Sequence, residues 1–157
     1  MNQNIELDNS IPEGYDYESE YFVGWGGEYP LDSVFIRSET RTVKDVLSRI
    51  NKGRYEVTPE FERDFLWSAV RQSRLIESCL MRIPLPVFYV AEARDGRIIV
   101  VDGLQRLTTF KRYLNNKFVL QGLGQEKEQD ALYSLNGKYF KELPLKLQER
   151  LEDTNLT

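Results

Sequence analysis

An α+β fold, with a small mixed or antiparallel sheet flanked by helices, is what this sequence predicts, and three features predict it. Short runs rich in β-branched and aromatic residues, Tyr55 to Thr58, Val87 to Ala91 and Ile98 to Asp102, have the length and character of strands. Between and after them lie segments whose apolar residues recur every three or four positions, the spacing of helices with one buried face. Asp95-Gly96 is a turn pair that joins two of the strand runs closely enough to make an antiparallel hairpin.

The chain opens on an acidic, aromatic-rich leader, residues 1–41, ahead of a domain over residues 42–157. Residues 1–36 hold eight acids and neither Lys nor Arg, so the whole-chain charge of −4 hides a remainder with 21 basic and 17 acidic residues. That remainder is basic enough for a cleft that binds anions, but is no strong polyelectrolyte binder. The stretch YDYESEYFVGWGGEYP carries six aromatic residues, too many for a purely solvating tail. Two arrangements suit it: a partly ordered arm with Phe22 and Trp25 docked on the domain, or an acidic plug over the domain's basic face.

Val34 to Arg37 is expected to form a short strand. Thr42 is a good N-cap for a helix with Val43, Val46, Leu47 and Ile50 on one face, closed by Gly53. Tyr55 to Thr58 is a strand limited by Pro59. The segment PEFERDFLW then gathers Phe61, Phe65, Leu66 and Trp67 around Glu62, Arg63 and Asp64, which suits a core anchor with a salt-bridged rim or a ligand-facing segment equally. Ser68 caps a helix to about Arg82, whose buried stripe is Leu75, Ile76, Cys79, Leu80 and Ile83, so Cys79 is a core residue and not a nucleophile. Pro84 and Pro86 end that helix and deliver the hairpin.

Its second strand, IIVVD, has the four consecutive β-branched residues of a strand buried on both faces. At Asp102-Gly103 the period switches to helical. Leu104, Leu107, Phe110 and Leu114 fall on one arc, with Gln105, Thr109 and Arg112 opposite. The first amides of this helix carry the positive end of its dipole and, with Arg106, form an anion site. The alternative is that Asp102 merely caps the helix and Arg106 is a solvated charge. Asn115-Asn116 ends the helix, Phe118 to Leu120 is a short strand and residues 121–131 form a polar surface loop. Asn136-Gly137 is a turn, and Leu143-Pro144 starts a helix with Leu143, Leu147 and Leu151 in a stripe. The abrupt finish at TNLT suggests a fragment of a longer protein.

Composition narrows the chemistry. Cys79 is the only cysteine and histidine is absent, which excludes an internal disulfide, a Cys/His zinc site and a histidine-based triad or nuclease centre. Catalysis would have to use carboxylates, Arg or Lys, hydroxyls, amides or an oxygen-bound metal. No apolar run approaches a membrane span and the N-terminus lacks the regions of a signal peptide, so a cytoplasmic protein without a membrane partner is expected.

The run TPEFERDFLWSAVRQSRLIESCLMRIPLPVFYVAE, then VVDGLQRLTTFKRYLNNKFVL, then KYFKELPLKLQERLED, resembles the N-terminal domain of the GmrSD-type, modification-dependent restriction endonucleases. The resemblance runs from about Thr42 to the C-terminus and implies a ParB- and sulfiredoxin-like fold. The family's Asp-Gly-Gln-Gln-Arg motif corresponds to Asp102, Gly103, Leu104, Gln105 and Arg106, and its Pro-x-Phe/Tyr-Gln-Arg segment to Pro59, Phe61, Glu62 and Arg63. The resemblance implies a nucleotide pocket formed by Arg63, Asp102, Gly103, Gln105, Arg106 and Thr108. It implies a nucleoside triphosphate as ligand or substrate, with hydrolysis resting on Asp102, Gln105 and Arg106 and a Mg²⁺ ion on Asp102. It further implies a role in restriction of phage DNA, with DNA and a separate nuclease domain or subunit as partners. Leu104 departs from the motif on the apolar side of the helix. Glu62 departs more seriously, since a carboxylate beside triphosphate oxygens repels them unless a cation intervenes. A non-catalytic sensor that binds DNA, nucleotide or a partner subunit is the competing expectation. Direct DNA cleavage by this domain is weaker, since no carboxylate cluster stands at metal-binding spacing.

Overall fold

The structure is a computed structural model, and it describes residues 21–24, 27–30, 36–57, 67–124 and 131–157. The chain divides into two compact units, Met1–Arg37 and Ser38–Thr157. In the first, β1 (Tyr21–Gly24) pairs antiparallel with β2 (Gly27–Pro30), with Tyr21 opposite Pro30 and Gly24 opposite Gly27. These paired strands lie within the aromatic-rich stretch of the leader. Phe22 lies in β1, while Trp25 lies outside the described residues, as do Val34 and Phe35 of the expected strand; Ile36 and Arg37 are not in a strand.

The second unit runs β3 (Arg41–Thr42), α1 (Val43–Asn51), β4 (Tyr55–Glu56), α2 (Ala69–Leu80), β5 (Tyr89–Glu92), β6 (Ile98–Asp102), α3 (Leu104–Leu114), α4 (Leu145–Glu152) and β7 (Asn155–Leu156). Two 3-10 turns, Tyr133–Leu135 and Phe140–Glu142, lie between α3 and α4. This is an α+β architecture. Strand β6 is the centre of a three-stranded mixed sheet, parallel to β4 and antiparallel to β5. The register shifts between Tyr89 and Val90, which pair with Asp102 and Val100 and leave Val101 of β6 without a partner in β5. Strands β3 and β7 form a separate two-residue ladder, Arg41 opposite Leu156 and Thr42 opposite Asn155.

Both predicted N-caps are made. Thr42 Oγ1 accepts the Asp45 amide at 3.2 Å, and Ser68 Oγ accepts the Arg71 amide at 3.2 Å. Each satisfies one of the amides that a helix start leaves without an intrahelical partner. Helix α2 buries Leu75, Ile76, Cys79 and Leu80, but it stops before Arg82, and Ile83 is exposed. Arg82 takes a left-handed conformation (φ 60°) that ends the helix and swings Ile83 off its stripe. The Arg150 guanidinium donates to the Leu80 carbonyl at 3.0 Å, so α4 satisfies an acceptor at the C-terminal end of α2.

The core lies among α1, α2, α3 and α4, with Tyr113 and Phe110 fully buried at its centre. Tyr113 meets Phe118 at 5.1 Å and Phe140 edge-on at 6.0 Å between ring centroids. Several expectations are corrected here. Strand β6 is buried on one face only: Val100 is buried, while Ile99 and Val101 point the other way and are exposed. A β-branched run satisfies strand sterics whether or not both faces are covered. Thr109, placed by periodicity on the polar arc of α3, is fully buried, and its hydroxyl donates to the Gln105 carbonyl at 2.8 Å. That bond inside the helix leaves the hydroxyl no need of water.

Phe118 to Leu120 is not a strand, although Leu120 exchanges backbone bonds with Gly137 and Lys138. The segment after it is no simple surface loop either. Leu123 is buried, and the Asn136 side chain accepts its amide at 2.9 Å and donates to its carbonyl at 3.0 Å. Residues 125–130, and residues 58–66 with Pro59, Phe61, Glu62 and Arg63, lie outside the described residues.

Candidate functional site

Strand β6 ends at Asp102, and α3 begins one residue later, so the chain must reverse its course at Gly103. It does so with φ 100°, a region closed to L side chains at ordinary cost. Space imposes the same residue. A Cβ at this position would collide with the Phe88 ring and stand 3.1 Å from Arg106 Nη2. Gly103 thus makes the sharp turn, and its α-carbon lies against Phe88.

Gly103, and not Asp102, is the N-cap of α3, and a glycine has no side chain with which to cap the helix. The first intrahelical bond runs from the Leu107 amide to the Gly103 carbonyl at 3.0 Å. The amides before Leu107 have no acceptor one turn back, and they add their partial positive charge to that of the helix dipole. Asp102 to Arg106, with Val101 and Trp67, line a cavity of about 210 Å³. That is below the size that encloses a whole drug-sized ligand, so a larger ligand would place one part inside and leave the rest in the open.

Arg106 faces inward. Its Nη1 donates to the Pro86 carbonyl, its Nη2 donates to the Val87 carbonyl at 3.1 Å, and its guanidinium carbon lies 4.0 Å from the centroid of the Phe88 ring. The Asp102 carboxylate is 3.5 Å away and mostly exposed. Burial draws the Arg106 pKa below the usual guanidinium value, and Asp102 offsets part of that. The side chain stays cationic throughout the physiological range. It clamps the segment before β5 onto the start of α3, a role with no sequence signal because its partners are backbone carbonyls.

Gln105 is half-buried, lines the cavity, and its side-chain oxygen is buried without a hydrogen-bond partner among the described residues. Thr108 is buried, does not line the cavity, and its hydroxyl is likewise without a partner among the described residues. The turn thus brings together Asp102, Gly103, Gln105 and Arg106, sets Thr108 behind them, and leaves Arg63 outside the described residues. Leu104, assigned to the core, packs against it and also forms part of the cavity wall.

Trp67 is the wall residue that the sequence reading had named only as part of an aromatic segment. The Arg71 guanidinium lies 4.5 Å from its ring centroid, and its carbonyl accepts the Gln72 side chain at 3.1 Å. Its place next to the Ser68 cap was the available signal. A larger hollow of about 370 Å³ lies elsewhere, where Asn51, Leu114 and Glu152 end α1, α3 and α4. Helix C-termini present carbonyls and negative partial charge, and Lys52 and Lys111 complement them there. The smaller cavity has the more specific polar geometry and is the candidate site.

Among the described residues no three carboxylate, histidine or cysteine side chains gather to hold a metal ion, and no helix is long and apolar enough to cross a membrane. No curated protein and no solved structure matches the chain. The family model for the N-terminal domain of GmrSD restriction endonucleases matches residues 43–156, from the first residue of α1 to the last of β7. That match takes in every element of the second unit after β3, the turn at Gly103 included, and the chain belongs to the family of GmrSD restriction endonuclease N-terminal domains.

Proposed function

We propose that this chain is a nucleotide-binding regulatory domain of a modification-dependent restriction system, and that the start of α3 holds the phosphates of a nucleoside triphosphate. The observation that carries the reading is a helix that begins at a glycine N-cap on a cavity-lining turn; the Gln105 side-chain oxygen, without a partner among the described residues, is placed to accept from a water and not from the phosphates. Phosphate oxygens are acceptors well matched to the amides that donate at a helix start. In this reading the amides from Leu104 to Arg106 bind the phosphates. Asp102, exposed at the rim, supplies one oxygen to a Mg²⁺ ion that arrives with the nucleotide, as is usual when one or two carboxylates and substrate phosphates share the metal. Gln105 orients the attacking water. Arg63 and Arg106 neutralise charge as the terminal phosphoryl bond breaks, and Thr108 supports the turn from behind. A ParB- and sulfiredoxin-like fold, DNA, and a nuclease domain or subunit as partner belong to the same proposal.

One observation favours the second reading, binding without turnover. Two of the five N–H donors of Arg106 are already engaged by the Pro86 and Val87 carbonyls, which leaves fewer of them for a phosphate while the clamp is kept. Phosphate release from a panel of nucleoside triphosphates, with and without DNA, compared with Asp102→Ala, decides between the two. Turnover in the wild type that falls tenfold or more in Asp102→Ala supports hydrolysis. Binding without release leaves the sensor, and absence of binding by every nucleotide tested removes both.

A further inference from the structure

The polar turn accounts for only one side of the 210 Å³ cavity. The apolar lining is supplied by Val101, Leu104 and Trp67, the one aromatic residue there among the described residues. The Arg71 guanidinium lies over the Trp67 ring at 4.5 Å, while Gln72 holds only its backbone, donating to its carbonyl at 3.1 Å. Trp67 also packs against the core. An indole fixed in this way has already lost its rotamer freedom, so a flat ligand that lies on it does not bear that cost again. Stacking on an aromatic side chain tolerates any base, because every base has a π-face.

We propose that Trp67 is the platform on which the nucleobase stacks, so that this site separates a nucleoside triphosphate from a bare polyphosphate. The inference rests on the nucleotide reading given above and adds to it the residue that recognises the base. It also predicts modest selectivity among bases, because stacking on an indole does not read a base edge.

The test compares binding of ATP, GTP, CTP, UTP and inorganic tripolyphosphate, each in Mg²⁺, to the full chain and to its Trp67→Leu and Trp67→Phe variants by calorimetry. The wild type is expected to bind nucleoside triphosphates more tightly than tripolyphosphate. Trp67→Leu is expected to weaken the nucleotides between roughly fivefold and a hundredfold, the range of one base stack, while tripolyphosphate shifts less than twofold. Trp67→Phe should fall between the two, and it decides alone if the Leu variant does not fold. Equal wild-type affinity for tripolyphosphate and nucleotides overturns the inference and leaves the anion site standing. Equal losses for both ligand classes, or no loss in either variant, also overturn it. If the wild type binds neither class, the nucleotide reading itself has failed.

Discussion

A methyl group at position 103 would enter the space of the Phe88 ring while the backbone is held at φ 100°. Gly103→Ala therefore combines overpacking with left-handed strain, and it should cost about 2 to 4 kcal/mol of stability in urea denaturation. Adding Phe88→Ala should return the overpacking part and keep the strain, so the two changes will not be additive. A double variant that loses the simple sum of the single losses would contradict the collision. The same geometry bears on how the site is probed. Gly103 and Arg106 hold the turn together through Phe88, Pro86 and Val87, so their replacement confounds binding with folding. Asp102 is mostly exposed and Trp67 only half-buried, and they separate the two more cleanly.

At the scale of elements, helices were the legible part. Thr42 and Ser68 announced α1 and α2, and apolar spacing placed α3 and α4 to within a residue or two. The Asp95-Gly96 turn gave the β5–β6 hairpin, and the switch of period at Asp102-Gly103 gave the site's backbone. What escaped were contacts made by polar side chains to distant backbone. Ser73 is an example: it is fully buried, donates to the Ala69 carbonyl at 2.7 Å and accepts the Gln121 amide at 2.9 Å, joining α2 to a segment 48 residues away. Nothing in a serine's neighbours signals such a bond. Ser73→Ala leaves the Gln121 amide without that acceptor and should cost about 1 to 3 kcal/mol. Ser68→Ala, which removes a cap in contact with water, should cost nearer 1 kcal/mol. Thermal or urea unfolding of both checks this, and a Ser73→Ala loss of only a few tenths would mean that water replaces the hydroxyl. The same limit hid the inward turn of Arg106, whereas β3 and β7 were missed because Arg41-Thr42 and Asn155-Leu156 stand in no β-branched or aromatic run of the kind that marked β4.

For the molecule as a whole, burial sets the alkaline limit. It pushes the Cys79 thiol from an ordinary 9 up to about 12, and it raises the Tyr113 phenol as well, with Glu142 adding to the effect. A raised folded-state pKa means that the unfolded chain gives up its proton first. The stabilisation is complete below about pH 9 and is lost as the pH climbs toward the folded values. The urea midpoint should hold steady from pH 7 to 8.5 and decline by pH 10.5, more shallowly in Cys79→Ala. A flat profile to pH 11 would show that these groups are not buried as described. The β3–β7 ladder has a kinetic side. Its strands lie more than a hundred residues apart, and closing a loop of that length costs about 4 kcal/mol beyond the constant part of the entropy. Two paired residues return only about 1 kcal/mol per hydrogen bond. The ladder has no means of seeding the fold. It is expected to close after α1 has packed on α3, and α2 on α3 and α4, a clasp fastened late that then carries Leu156 into the core.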